Sequence, residues 1–238
     1  MRPTQDMHQW LWSTRPLSEM HLHDFIIRER RSIISEIYLC RMHSTTEAVA
    51  EVYDLISSSD CHRKSREFCR DFFLNNKNYI SILLNTAFDV KDAFYFKACW
   101  ILELVAESDL NIFFPHLNRF CDVLPHVAHD GALRSVSKIC MILTQKLAAS
   151  PQTPSPFLTE ENLTKITESC FKWLVDDEKV ATKAYAMRAL YEIGKFQPEI
   201  HAELIDAVSH GYANHSFAYK AASKDILRRI EKRHKSLL

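Results

Sequence analysis

The chain has 238 residues, with 30 Lys and Arg against 30 Asp and Glu, so its formal net charge is zero. That balance excludes a protein whose whole surface is a polycation for nucleic acid, and equally one built as an acidic solvating tail. Only three glycines occur, Gly131, Gly194 and Gly211, which excludes the phosphate-cradling P-loop and the G-x-G-x-x-G fingerprint and points to a helical chain.

Residues 1–42 show no sustained hydrophobic period. Trp10, Trp12, Pro16 and scattered histidines precede "FIIRERRSIISEIYLC", Phe25 to Cys40, which is compatible with one loose helix. The expectation is an N-terminal extension, poorly ordered or singly helical, with Met42 as a candidate functional start. No continuous apolar stretch gives it the form of a signal peptide.

From residue 43 the helical period is clear, and a repeat domain is expected over 43–238. Helices are predicted at 45–57, 61–75, 78–88, 91–107, 111–125, 130–148, 159–175, 178–195, 198–211 and 215–234. Thr159 is a predicted N-cap ahead of two carboxylates, and Pro198 suits a first helical turn. Gly194 and Gly211 fall near helix ends, where a left-handed residue is expected. "AASPQTPSPFL", Ala148 to Leu158, reads as a surface loop, since its three prolines break helix.

Two of these helices are nearly the same helix written twice. A shift of 37 residues carries Lys183 onto Lys220, Ala184 onto Ala221, Leu190 onto Leu227 and Ile193 onto Ile230. A backward shift of 86 carries Lys183 onto Lys97, Ala184 onto Ala98 and Leu190 onto Leu104. The 130–148 helix joins the series through Arg134, with one residue of slack. A helix pair recurring at about 35–50 residues marks an α-solenoid, in which each pair buries its apolar face on the next.

With those residues in view, the chain resembles HEAT-like (armadillo-type) repeat proteins over about residues 44–234. Asp177 with Lys183, and Asn214 with Lys220, resemble the spacing of that family's second helices; Asp92 with Lys97 and Asp130 with Arg134 depart from it by one and two residues. The resemblance implies an all-α, right-handed α-α superhelix of about four to five helix pairs. "DVKDAFYFKACWILELV", "SKICMILT" and "DDEKVATKAYAM" also resemble an uncharacterised bacterial helical family sometimes labelled adenylosuccinate lyase. The signature loop of true lyases, SSxMPxKxN, is absent, so the label implies no chemistry here.

The recurring cations Lys97, Arg134, Lys183 and Lys220 are candidate interaction residues: a ladder on the concave face for phosphates or acidic side chains. The structural alternative is that each pairs with a nearby Asp and keeps neighbouring repeats in register. Arg228 joins them from a basic C-terminal run with Lys224, Arg229, Lys232, Arg233 and Lys235; a solvated last helix would use these only to complement its dipole. "HVAHD", with His126, His129 and Asp130, offers metal-ligand types but reads as an exposed turn, and no metal or other cofactor is expected. The aromatics Phe94, Tyr95, Phe96, Trp100, Trp173, Tyr185, Tyr191 and Tyr219 have the spacing of core or repeat-interface residues. No G-x-S-x-G places a nucleophile.

Seven cysteines, an odd number without a C-x-x-C, point to a reducing, cytoplasmic compartment without structural disulfides. No apolar run is long enough to span a bilayer. The expected function is a non-catalytic scaffold or adaptor, acting as a monomer and binding another macromolecule, foremost a protein. The alternative is nucleic-acid binding through a basic concave surface, as in HEAT-like alkylation-repair proteins; ranked below it is an adenylosuccinate lyase-type enzyme, whose signature loop is absent.

Overall fold

A computed structural model describes residues 46–149, 157–210 and 212–237. The expectations for residues 1–42, for most of the Pro-rich loop and for Gly211 lie outside them. The chain divides into two compact units, Met1–Glu51 and Val52–Leu238. In the first, residues 46–51 are helical and open α1, residues 46–58.

In the second unit α1 is followed by α2 (Arg63–Asn75), α3 (Ile80–Phe88), α4 (Tyr95–Ser108), α5 (Leu117–Val123), α6 (Asp130–Ala149), α7 (Glu160–Val175), α8 (Val180–Ile193), α9 (Pro198–Ser209) and α10 (Phe217–Leu237). The described residues contain no strand. Two rows form. The even helices α2, α4, α6, α8 and α10 each pack on the next, as do the odd helices α3, α5, α7 and α9; α3 on α4, α7 on α8 and α9 on α10 join the rows. This is the all-α repeat architecture that the periodicity predicts.

The apolar spacing explains each helix. In α6, Ala132, Leu133, Val136, Ile139, Cys140, Leu143 and Leu147 are buried; steps of three and four place them on one side of the helix. In α10 the buried face is Tyr219, Ser223, Ile226 and Ile230. Ala98, Ala132 and Ala186 have no exposure, and such small side chains at the crossings let the even helices approach closely. Burying one Leu or Ile side chain contributes about 1.5–3 kcal/mol, so a core repeated along the row supplies most of the stability.

Thr159 caps α7: its Oγ1 accepts from the Asn162 N–H at 3.2 Å, with Glu160 and Glu161 in the first turn. Two predicted helices differ from those observed. The one expected at 111–125 is a 3-10 segment, Leu110–His116, then α5, then a 3-10 turn, Leu124–His126. Pro115 and Pro125 lack the N–H that continued α-helix needs, and the Asp109 side chain starts the 3-10 segment by accepting from the Asn111 N–H at 3.2 Å. The helix expected from 91 begins at Tyr95, because Asp92 Oδ1 accepts from the Phe94 N–H at 2.7 Å and turns the chain first. Gly194 ends α8 with φ −62° and ψ −6°, a right-handed rather than left-handed conformation. Its glycine is required by a neighbour: a Cβ there would stand 2.1 Å from His201 Cδ2.

Candidate interaction surface

The repeated cations all stand within the first five residues of even helices, and three of them end on main-chain carbonyls. Lys97 Nζ donates to the Ser57 carbonyl near the end of α1. Lys183, 5% exposed, donates to the Leu174 carbonyl in the last turn of α7 at 3.0 Å and lies over the Tyr219 ring. Lys220 donates to the Ala213 carbonyl just before α10 at 2.8 Å. The last carbonyls of a helix lack intrahelical partners and carry the negative end of its dipole, so a cation is favourable there. The neighbouring aspartates are engaged elsewhere: Asp92 accepts from the Tyr53 hydroxyl at 3.2 Å, and Asp130 lies 3.6 Å from Lys179 Nζ.

Arg134 is the exception. Its side chain is 41% exposed, and the guanidinium lies 3.6 Å from the carboxylate of Glu103, whose side chain is 2% exposed. Glu103 also accepts from Ser135 Oγ at 2.5 Å and from Lys138 Nζ at 2.9 Å, and Lys138 pairs with Glu107 as well. Burial opposes the Lys138 charge, but its bonds to Glu107 and Glu103 outweigh burial and raise its pKa above the ordinary lysine value. Tyr185 of α8 lies near two cations, with Lys138 Nζ 6.0 Å and the Arg188 guanidinium 5.9 Å from its ring centre. Phe96, Trp100, Glu103 and Glu107 follow one another at i, i+4, i+7 and i+11, so α4 presents aromatic and acidic groups along one stripe.

The aromatic end of that stripe is built against the start of α6. Phe96 stacks on the His129 ring at 4.1 Å and meets Trp100 edge-on at 5.1 Å. A Cβ at position 131 would stand 2.7 Å from Trp100 Nε1, so Gly131 lets the indole lie on the helix backbone. His129 Nδ1 accepts from the Gly131 N–H at 3.0 Å, and the His129 N–H donates to the Tyr95 hydroxyl at 2.9 Å. His129 therefore caps α6 and ties it to α4. Among the described residues no group of three or more His, Cys, Asp or Glu is arranged to hold a metal.

The family model described as HEAT repeat domain matches residues 57–230. The chain belongs to the HEAT repeat family. No curated protein and no solved structure matches it. The match takes in α2 through most of α10, and so covers Lys97, Arg134, Lys183, Lys220 and Arg228 together.

The HEAT stack does not bring those five residues into one open row. Lys183 is enclosed, Lys97 and Lys220 are half-buried and engaged, Arg134 is part of the Glu103 network, and Arg228 is 77% exposed with Asp225 Oδ1 at 2.9 Å. Sequence reasoning missed that network, as well as Arg188 beside Tyr185. The signal was present as the spacing of Trp100, Glu103 and Glu107, but spacing alone does not say which side of a helix faces solvent. It also missed a surface cleft of about 330 Å³ between the α3–α4 connection and α5, lined by Phe88, Asp89, Lys91, Arg119, Asp122 and His126.

Cys61 is exposed, while Cys69, Cys99, Cys121, Cys140 and Cys170 are buried and free. Burial pushes the Cys99 and Cys121 thiols up to about 12, which keeps them protonated and unreactive. No helix among the described residues is long and apolar enough to cross a membrane.

Proposed function

We propose that this HEAT repeat chain is a non-catalytic scaffold that binds another protein through the faces of its even helices, as a monomer in the reducing cytoplasm. The observation that carries this reading is the α4–α6–α8 row, where Trp100 lies against Gly131, Arg134 and Lys138 pair with Glu103, and Tyr185 lies near Lys138 and Arg188. Trp, Tyr and Arg are the residue types that dominate binding energy in protein interfaces. The engagement of Lys97, Lys183 and Lys220 with carbonyls also supports it, because those ammonium groups are occupied within the stack rather than aligned for a phosphate backbone. The free thiols fit the compartment.

The test is affinity capture of the full chain with and without nuclease, repeated with Trp100→Ala and Arg188→Glu. Partners that survive nuclease and are lost with either substitution are expected. Capture of no protein would overturn the reading. The second reading, nucleic-acid binding, is favoured by one observation, the seven Lys and Arg against two Asp and Glu of α10. It predicts partners lost on nuclease treatment, and an affinity for duplex that falls steeply with salt.

A further inference from the structure

α10 differs from every other helix of the stack in what it leaves exposed. Its apolar residues Tyr219, Ile226 and Ile230 are buried. On the opposite face Phe217, Ala221, Lys224, Arg228, Lys232 and Lys235 are all exposed; their separations of four, three, four, four and three residues keep them in one stripe. Phe217 is 92% exposed, the largest value among the exposed large hydrophobics. At 1.5 Å per residue the four cations follow one another every ~4.5–6 Å along the helix.

Little within the chain neutralises this row. Asp225 is shared by Arg228 at 2.9 Å and Arg229 at 2.8 Å, and Glu231 pairs with Lys235 at 2.5 Å. Lys224 and Lys232 pair with no carboxylate among the described residues. Lys97 and Lys183 of the other even helices are bound to carbonyls, and Arg134 and Lys138 to Glu103, whereas α10 carries seven Lys and Arg against two Asp and Glu and so presents a strong local field in a chain of zero net charge.

We propose that this face of α10 docks an acidic helical segment of a partner protein, laid antiparallel, with one apolar side chain seated at Phe217 and carboxylates along Lys224, Arg228, Lys232 and Lys235. The assignment rests on the scaffold reading and names the chemistry of its partner. Charge complementarity chooses acidic groups. The ordering chooses a protein segment: Phe217, Ala218 and Ala221 make an apolar patch at one end and the cations follow it. That sequence suits an amphipathic helix better than a uniform phosphate chain. The antiparallel sense puts the partner's N-terminal turns, where carboxylates are favoured, beside the cation-rich end of α10. A lipid surface fits poorly, because Tyr219, Ile226 and Ile230 are buried in the stack.

The probe is a synthetic helical peptide with one Glu per turn on one face and a Leu at the C-terminal end of that face. Its binding to the full chain is followed by fluorescence anisotropy. The comparisons are the same peptide with Gln for Glu, the same peptide with Ala for Leu, and a random-sequence DNA duplex. We expect the Glu–Leu peptide to bind most tightly, Lys224→Glu/Arg228→Glu to weaken it at least tenfold, Phe217→Ala to weaken it severalfold, and Lys64→Glu on α2 to leave it unchanged. Thermal melts of the variants establish that they fold. Absence of binding, equal binding of the Gln peptide, or preference for the duplex would overturn the proposal. Capture with the Lys224→Glu/Arg228→Glu variant separates it from the broader reading: partners retained there refute the α10 site and leave the scaffold standing, and partners lost there support both.

Discussion

At Gly194 a methyl group has nowhere to go. The His201 ring fills the space, 2.1 Å from where a Cβ would stand, and its Nε2–H donates to the Tyr191 carbonyl at 2.9 Å; a carbonyl only accepts, so Nε2 holds the hydrogen. Gly194→Ala is expected to destabilise the chain by about 1–3 kcal/mol through overpacking, read as a lower denaturant midpoint. His201→Ala in the same chain should recover part of the loss. His201 is 1% exposed, and burial, helped by His234, Arg233 and Lys195, depresses its pKa below 6.5 despite the bond to Tyr191. The unfolded chain thus binds a proton that the native chain refuses. The stability owed to neutral His201 is complete above pH 6.5 and falls as the pH drops from there towards the lowered native value. Unfolding free energies measured across that window should decline, and should decline less steeply in His201→Gln.

Among the helices, the even row carries the architecture, and Lys183 of α8 joins it to the odd row through the Leu174 carbonyl of α7. Lys183 and Lys224 are both lysines of even helices, and their replacement separates a stack role from a surface role. Lys183→Ala removes a buried stem and leaves the Leu174 carbonyl without its donor, which costs about 1–3 kcal/mol. Lys224→Ala removes an exposed side chain with no ion pair and should change stability by less than about 0.5 kcal/mol. Equal midpoints for the two variants would refute the carbonyl-capping role. α5 illustrates the opposite case: it is a seven-residue helix between two 3-10 turns, and it holds its place through buried Leu117, Phe120, Cys121 and Val123 rather than through length.

For the molecule as a whole, we propose that residues 43–238 fold as one repeat domain without the 42 before them. Two contacts support this. Val52 and Ile56 of α1 are buried in the core, and the Lys97 ammonium binds the Ser57 carbonyl. A fragment beginning at Met42 is expected to melt within a few degrees of the full chain. Aggregation of the fragment, or a midpoint many degrees lower, would show that the first residues complete the stack.

Most of the helices and the repeat were legible in the sequence, because a period of 3.6 in apolar residues and a recurring Lys-Ala or Arg-Ser step are one-dimensional signals; the 3-10 turns around α5 were not. Thr159 and Pro198 were legible for the same reason: a cap or a first-turn proline acts on residues next to it. What only the tertiary structure decided lies between helices. It turned Lys97, Lys183 and Lys220 onto carbonyls, enclosed Glu103 between Arg134, Ser135 and Lys138, gave Gly194 its role against His201, and left the basic face of α10 exposed. Each of these depends on which groups a neighbouring helix brings within a few ångströms. A local pattern fixes the buried side of a helix, and only the packing of its neighbours determines what stands opposite.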